Sequence, residues 1–270
     1  MTKKKSKDSL GDRMKDIEGR CTYYLPRRCY TIIRLDGAHF HTFLKRAKKP
    51  FDRTVMDCMQ KTTLALCKQI PGVKIGYTQS DEITLILTDF DTIKTQAWFD
   101  GNISKIISTS AAMATAEFNK QWLSSKLSDM WDNLTDYSYV MNLILDTKSA
   151  TFDSRVYTTS DPWEAFNSLA WRISDASKNS IQMIAQSLYS HKELQGKEFA
   201  QLNELLFQKG HNFNDYPTDC KRGAFVIKLP DQGWVIDKDA PLPTQDQHYI
   251  MDRLPLIPAP TFEREKERWN

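Results

Sequence analysis

The sequence predicts an α+β protein in which helices cover one face of an antiparallel sheet. The β-branched run YTIIRLD at residues 30–36 is typical of a buried strand, and residues 53–70 carry apolar side chains at helical spacing. Two short strand patterns, VKIGY and ITLILT, then follow with the polar turn TQSDE between them. This strand–helix–strand–strand order is half of a ferredoxin-like fold.

Composition indicates an ordinary globular chain. Hydrophobic residues make up 40%, aromatic residues 11% and charged residues 26% of the 270 residues, and the formal net charge is +3. No apolar run approaches the roughly 18 residues that a membrane span requires. The basic N-terminus has no apolar segment behind it, as a secretory signal would. We therefore expect no membrane association and a cytoplasmic location.

The later part of the chain extends the predicted fold. Residues 92–121 have helical spacing, residues 137–146 and 152–159 are strand candidates, and Asp161-Pro162-Trp163 is a typical helix start. Beyond about residue 191 the chain is rich in loops, with one possible hairpin across FVIKLPDQGWVI. The predicted organisation is a basic N-terminal segment at 1–20, a core domain at 21–190, and a C-terminal lobe at 191–270 that is not independent.

Cysteine spacing predicts neither a zinc site nor a disulfide framework. The five cysteines are widely spaced and include no CxxC pair. Cys58 and Cys67 fall within a helical pattern, where buried thiols are the expected interpretation.

Two carboxylates form the candidate site. Asp36 ends the first predicted strand and Asp81 lies on the turn between the next two, so pairing these strands brings both residues to one sheet edge. Close carboxylates repel one another and favour a cation between them, and oxygen ligands suit Mg²⁺. Two such ions, roughly 3.5 to 4 Å apart, can support phosphoryl transfer. This is the palm arrangement of nucleotide polymerases and cyclases, and the basic run Lys45–Lys49 just after the site would suit phosphate.

The residue pattern alone leaves a plainer interpretation open. An aspartate at a strand end often forms an Asx turn, and an Asp-Glu pair in a hairpin is often solvated.

The chain resembles the tRNA-His guanylyltransferase superfamily in four segments: RLDGAHFHTF, KKPFD, YTQSDE and KRGAF. The similarity runs from about residue 11 to near residue 250. The resemblance implies a ferredoxin-like polymerase palm at 21–190 with a C-terminal extension, and an enzyme that adds nucleotides to the 5′ end of tRNA, opposite to the usual polymerase direction.

Site residues are implied by the same resemblance. Asp36 and Asp81 would hold two Mg²⁺ with the carbonyl of Gly37, and Glu82 would be a supporting member of the catalytic group. A nucleoside triphosphate, GTP, ATP or another, would be bound by Gly37, Ala38, His39, Phe40, His41, Lys49, Asp52, Ser80 and Asp81. Members are tetramers, so a homotetramer is expected.

One departure bears on the substrate. Eukaryotic members that mark histidine tRNA carry His-Ile-Asn-Asn where this chain has Ser177-Lys178-Asn179-Ser180. The segment is similar to the Thg1-like branch, which repairs 5′-truncated tRNAs against a template, after 5′ activation with ATP or GTP. Candidate RNA contacts are Arg172, Lys178, Asn179, Lys221 and Arg222.

Three alternatives stay open at this point. The protein could add the extra guanosine of histidine tRNA. It could instead be a nucleotidyl cyclase or forward polymerase, although KPFD and KRG argue against both. It could also be a non-catalytic RNA-binding protein with a relic palm site.

Overall fold

A computed structural model of the chain describes residues 9–45, 47–92, 94–128 and 148–257. The strands are β1 (Tyr30–Ala38), β2 (Val73–Gln79), β3 (Glu82–Leu87), β4 (Thr151–Thr159), β5 (Ala224–Leu229) and β6 (Gly233–Asp237). The helices are α1 (Leu10–Gly19), α2 (Phe40–Phe43), α3 (Arg53–Gln69), α4 (Ile103–Ser128), α5 (Pro162–Leu188), α6 (His191–Leu194), α7 (Phe199–Gln208), α8 (Thr218–Arg222) and α9 (His248–Met251). Short 3₁₀ turns lie at Trp98–Gly101 and Phe213–Asp215.

The described strands form one antiparallel sheet in the order β4-β1-β3-β2-β5-β6. The order of elements β1-α3-β2-β3-α4-β4 is the complete ferredoxin-like unit, and it confirms the predicted fold class. The predicted hairpin across residues 225–236 is also present, as β5 and β6. Because β5 pairs with β2, the C-terminal part of the chain extends the central sheet. The domain boundaries themselves stay a prediction.

Helices α3 and α4 cover one face of the sheet. Ile33 and Leu35 of β1 point to this face and are completely buried, in one cluster with Met59 of α3 and Phe118 of α4. Cys58 and Cys67 are buried in the same cluster as free thiols, as predicted. Alternation along β1 therefore sends its odd-numbered residues into this layer and its even-numbered residues to the other face.

The opposite face is covered as well, by α5 and the C-terminal segment. Tyr30 and Ile32 of β1 pack there with Leu169 and Ile173 of α5. The sequence analysis placed helices on one face only, which holds for α3 and α4 but omits this second layer. Arg34 and Asp36, which continue the even-numbered series, consequently lie on the α5 side of the sheet.

Local signals account for two helix starts. Asp161 caps α5 as predicted, since its carboxylate accepts the N–H of Trp163 at 2.8 Å. The helix predicted from residue 92 begins only at Ile103. Gly101, with φ of +77°, interrupts the chain there, and the side chain of Asn102 accepts the N–H of Lys105 at 3.0 Å.

Two predicted segments lie outside the described residues: the strand candidate at 137–146 and the N-terminal lysines. Across the described residues, no helix combines the length and apolar composition that a membrane crossing requires.

Candidate active site

Three carboxylates meet at the end of the β1–β3 pair. Asp36 of β1 lies opposite Glu82, the first residue of β3. Asp81 precedes Glu82 in the two-residue turn that joins β2 to β3, and its carbonyl accepts the N–H of Gly37 at 3.0 Å. Backbone pairing thus brings together the residues that the sequence predicted at one sheet edge. Asp153 of β4 lies opposite Asp36 on the other side of β1.

Gly37, which still belongs to β1, leaves space for the Phe40 ring to pack against the backbone just after Asp36. A Cβ atom at residue 37 would lie 2.3 Å from Cδ2 of Phe40, well inside van der Waals contact. The Phe40 ring is buried and packs on Phe118 and Phe152, with centroid separations of 5.3 and 5.1 Å. An aromatic cluster beneath the sheet edge therefore holds the loop that follows the first carboxylate.

Two arginines neutralise part of the negative charge. Arg34 donates from Nε to Oε2 of Glu82 at 2.7 Å and from Nη2 to Oδ2 of Asp36 at 2.7 Å. Arg172 of α5 donates from Nη1 to the same Oε2 of Glu82 at 3.1 Å. The guanidinium of Arg172 also stacks on the Trp171 ring, 3.9 Å from its centroid. Strand β1, strand β3 and helix α5 are linked through Glu82.

The surroundings raise the pKa values of two of these carboxyl groups, Asp81 and Glu82. Burial raises the pKa of Asp81, and the negative charge of Asp36 raises it further, while its own backbone N–H and Ser80 lower it through hydrogen bonds. Burial also raises the pKa of Glu82, although Arg34 and Arg172 oppose this effect. The negative charge of Asp36 therefore disfavours ionisation of Asp81, and a bound cation would relieve this repulsion.

An open cleft of about 440 Å³ extends from this edge along α5. Its charged lining residues are four carboxylates, Asp36, Asp81, Glu82 and Asp175, and two arginines, Arg34 and Arg172. The remaining lining residues are Tyr77, Gln79, Ser80, Asn179, Gln182, Met183 and Gln186. The cleft has the volume of a small-ligand site, and its formal charge of −2 leaves room for divalent cations.

The donor set fits Mg²⁺. Asp36 and Asp81 offer hard oxygen ligands at the cleft. No group of three or more His, Cys, Asp and Glu side chains within the described residues forms a complete metal cage. Mg²⁺ matches this arrangement, because it keeps several waters and is commonly bound by one or two carboxylates together with substrate phosphates.

Comparison with known proteins identifies the family. The family model described as Thg1, tRNAHis guanylyltransferase, matches residues 11–160. The chain belongs to the tRNA-His guanylyltransferase family. This confirms the resemblance stated above and the assignment to the nucleotidyltransferases.

Named relatives and solved structures agree with this family. The probable tRNA(His) guanylyltransferase of Dictyostelium discoideum is 24% identical over 86% of this chain and 88% of its own length. A bacterial tRNA(His) guanylyltransferase (Thg1)-like protein in complex with ATP superimposes with a TM-score of 0.80 and 38% identity, over 92% of this chain and 100% of that one. A bacterial tRNA(His) guanylyltransferase (Thg1)-like protein in complex with GTP superimposes with a TM-score of 0.73 and 35% sequence identity. The Saccharomyces cerevisiae tRNA(His) guanylyltransferase, at 20% identity and a TM-score of 0.63, supports the fold.

The predicted nucleotide-binding segment follows directly on the first carboxylate. His39 has a positive φ of 57° and begins α2, and both His39 and His41 are exposed. Ala38 is the last residue of β1. The Phe40 side chain lies in the core, so only its backbone is available to a ligand. The expectation that main-chain amides form the nucleotide cradle stays a prediction.

Lys49 and Asp52 lie apart from the residues that line the cleft. Lys49 is exposed. The Asp52 carboxylate caps α3, accepting from Thr54 at 3.0 Å, and its second oxygen accepts the N–H of Lys48 at 2.9 Å. Asp52 thus has a structural function at the start of α3, and its contact with a nucleotide stays a prediction.

The candidate RNA-binding residues divide into three groups. Arg172 and Asn179 line the cleft, while Lys178 is exposed on α5 outside it. Arg222 is half-buried, and its carbonyl accepts the hydroxyl of Tyr77 at 2.6 Å. Lys221 is buried, and its Nζ donates to the carbonyl of Asn214 at 2.7 Å, which argues against an RNA contact; that contact stays a prediction.

Arg34 was missed by the sequence analysis. It lies two residues before Asp36 on one strand, and residues at this spacing share a face of a sheet, so the pattern RLD contained the signal. The cleft residues Asp175, Gln182 and Gln186 were missed as well. They share a helix face with Asn179, at spacings of four, three and seven residues.

Proposed function

We propose that this protein is a 3′-5′ nucleotidyltransferase that adds nucleotides to the 5′ end of tRNA, in template-dependent repair of 5′-truncated molecules. The observation that carries the proposal is the pair Asp36 and Asp81 at one sheet edge, lining a cleft that Arg172 of α5 also lines. Its relation to a Thg1-like protein solved with ATP and with GTP supports nucleoside triphosphates as substrates.

The chain's own residues bind and orient the reactants. The backbone at residues 37–41 and Ser80 cradle the triphosphate, and the arginines of the cleft attract its phosphates. A 5′-monophosphate end is first activated with ATP or GTP, with release of pyrophosphate, whereas a 5′-triphosphate end needs no activation. The 3′-hydroxyl of the incoming nucleotide then attacks the activated 5′-phosphate and displaces its leaving group. No protein nucleophile is required.

Asp36, Asp81 and the carbonyl of Gly37 would hold two Mg²⁺. When bound, such ions lower the pKa of an attacking hydroxyl and offset the charge that develops on phosphate oxygens. Pairing of the incoming base with the opposite RNA strand would select the nucleotide, so the protein needs to recognise RNA shape and backbone alone.

A specific observation favours repair over marking of histidine tRNA. In the segment that replaces His-Ile-Asn-Asn, Asn179 lines the cleft. Ser177 and Ser180 instead bond within the fold: Ser177 to the carbonyl of Ile173 at 3.0 Å and Ser180 to that of Lys221 at 2.8 Å. Addition of a single guanosine to tRNA-His remains the second candidate, because several relatives are named tRNA(His) guanylyltransferases.

Labelled GTP and truncated tRNAs test the proposal. We expect Mg²⁺-dependent incorporation at the 5′ end of tRNA-His and of other tRNAs lacking their first nucleotide, whenever the opposite base is cytosine. Asp36→Ala and Asp81→Ala should each lower incorporation by about a hundredfold or more, since they remove charge from the transition-state site. Asp57→Ala, on α3 at the other face of the sheet, is the matched control and should keep wild-type activity.

Three results would contradict parts of the proposal. Untemplated addition confined to tRNA-His would refute repair and favour guanosine marking. Full activity in both aspartate variants would refute the site. Binding of tRNA without any incorporation would favour the relic-site alternative.

The homotetramer and the cytoplasmic location stay predictions. Light scattering of the purified protein tests the first, and imaging of the tagged full chain tests the second.

A further inference from the structure

Glu82 binds two arginines that come from different layers of the fold. Its Oε2 atom receives Nε of Arg34 at 2.7 Å, Nη2 of Arg34 at 2.5 Å and Nη1 of Arg172 at 3.1 Å. The side chains are only 18% (Glu82), 20% (Arg34) and 15% (Arg172) exposed. A metal ion on this oxygen would displace these donors and leave two neighbouring guanidinium charges partly buried, which is electrostatically unfavourable. The geometry therefore suits Glu82 to holding arginines.

Arg172 is fixed from a second side by an aromatic ring. Its guanidinium lies 3.9 Å from the centroid of the Trp171 ring, and stacking of this kind defines the plane of the group. The bond to Glu82 engages Nη1, and a guanidinium carries five N–H donors in all. A cation already held in one orientation loses little freedom when an anion binds, which favours affinity.

The charge distribution of the cleft makes Arg172 suited to bind an anion. Among the described residues that line it, Arg34 and Arg172 are the cations. Arg34 is shared between Asp36 and Glu82, whereas the ion pair of Arg172 is with Glu82. Asp36 and Asp81 lie on the sheet side of the cleft, and Arg172 lies on the α5 side. An anion bound between these sides would contact metal ions at the carboxylates and the guanidinium of Arg172.

We propose that Arg172 binds phosphate in this cleft, and that Glu82 is the positioning residue that orients Arg172 and Arg34, without ligating metal. This inference rests on the proposed function and names the group of the substrate that α5 recognises. The phosphate belongs either to the nucleoside triphosphate or to the 5′ end of the RNA.

Binding measurements without turnover distinguish the two sources. In the first arm, GTP with Mg²⁺ is titrated into the wild-type protein, Arg172→Ala and Arg172→Lys. Loss of a charge-assisted hydrogen bond should raise the Kd of the alanine variant by about tenfold or more. The Kd of Arg172→Lys should lie between those of the wild type and Arg172→Ala, because lysine keeps the positive charge but lacks the planar guanidinium.

In the second arm, a 5′-truncated tRNA is compared with a 5′-monophosphate and with a 5′-hydroxyl. If Arg172 binds the RNA phosphate, its removal abolishes the preference for the phosphorylated end. An unchanged Kd in the first arm together with an unchanged preference in the second overturns the proposal. Arg155→Ala, a mostly exposed cation on β4 that does not line the cleft, is the matched control for both arms.

Glu82 is tested with Glu82→Gln, alone and combined with Arg172→Ala. If Glu82 acts through Arg172, the double variant binds phosphate no more weakly than Arg172→Ala alone. If instead the Kd increases of the two single variants multiply in the double variant, the positioning function is overturned. Mn²⁺ binding, followed by electron paramagnetic resonance, should stay within about twofold of wild type in Glu82→Gln and be lost in Asp81→Asn. Loss of Mn²⁺ binding in Glu82→Gln would make Glu82 a ligand and overturn that part.

The outcomes separate this inference from the proposed function. A wild-type protein that binds GTP through Arg172 but extends no RNA refutes the function and keeps the inference. A protein that extends RNA normally while Arg172→Ala shows wild-type phosphate binding in both arms refutes the inference alone.

Discussion

Gly37 shows how one residue without a side chain shapes the site. Asp36 precedes it, and the segment proposed to bind the nucleotide follows it. Since the Phe40 ring lies where a Cβ atom of residue 37 would be, and since Phe118 and Phe152 pack against this ring, there is little room to move aside. Glycine is therefore required here by close approach and not by its backbone angles.

Gly37→Ala should lower both stability and activity. Overpacking of this kind costs about 1 to 3 kcal/mol of unfolding free energy, and relief of the clash would shift the backbone beside Asp36. Urea denaturation and 5′ incorporation of labelled GTP measure the two effects. Gly19→Ala, with no atom within 4 Å of the new methyl group, is the control and should change stability by about 1 kcal/mol or less. Wild-type behaviour of Gly37→Ala would mean that Phe40 moves freely.

Residue identity was predictable from sequence where a local signal marked it. Asp36 lies near the end of β1, and Asp81 lies in the turn between β2 and β3; all three strands have clear patterns, so the convergence of the two residues followed from strand pairing. The burial of Lys221 carried no such signal. It depends on the packing of the loop at Asn214, which lies close in the chain but has no regular pattern.

At the level of elements, a buried carboxylate joins α8 to α3. Asp219 accepts from Nη2 of Arg53 at 2.7 Å and from Nε2 of Gln60 at 3.0 Å. Burial alone would raise the pKa of Asp219, but the hydrogen bonds from Arg53 and Gln60 outweigh it and hold this pKa below its ordinary value of 3.8. A carboxyl group whose pKa is lowered by folding stabilises the protein above its unfolded-state pKa. That contribution disappears as pH falls through the folded-state pKa.

Asp219→Asn should reduce the acid sensitivity of the fold. At pH 7 we expect the variant to lose about 1 to 2 kcal/mol of unfolding free energy, a low value because Arg53 is half-exposed. Below about pH 4 its unfolding free energy should decrease less than that of the wild type. Urea denaturation between pH 7 and pH 3 measures both. Asp57→Asn, which removes exposed pairs with Arg53 and Lys238, should leave the acid limb unchanged. Parallel pH profiles for Asp219→Asn and wild type would contradict this account.

Element boundaries were predictable where caps mark them. Asp161 fixed the start of α5 to the residue. The predicted start of α4 was wrong because helical spacing continues through residues 92–102. Positive φ values at Phe99, Asp100 and Gly101, which are properties of the folded backbone, separate this segment from the helix.

On the scale of the whole molecule, the sheet joins distant parts of the chain. β5 pairs with β2, and Phe225 and Ile227 share a core cluster with Tyr30 and Ile32. Strand β5 of the predicted C-terminal lobe therefore buries Phe225 and Ile227 against side chains from the N-terminal half. This pairing could not be predicted from the sequence, because register between distant strands depends on the assembled core and not on any local pattern.

Phe225→Ala should destabilise the entire chain and not the C-terminal part alone. Removing a fully buried phenylalanine costs about 3 to 5 kcal/mol. Urea unfolding followed by circular dichroism and by tryptophan fluorescence should give coincident transitions at a lower midpoint. Phe207→Ala, which truncates a phenylalanine that is 50% exposed, is the matched control and should change the midpoint little. Two separate transitions would mean that the C-terminal part folds independently.

The turn that carries Asp81 contains only Ser80 and Asp81. The N–H of Gly37 donates to the carbonyl of Asp81 and so bonds this turn to β1. Insertions are tolerated in most surface loops, but here one added residue would detach that carbonyl or displace Asp81 from its place beside Asp36. The length of this turn can therefore be used to separate related sequences that keep the site from those that do not. A sequence that retains both aspartates but lengthens this turn should keep the fold and lose the spacing of the two proposed metal ligands.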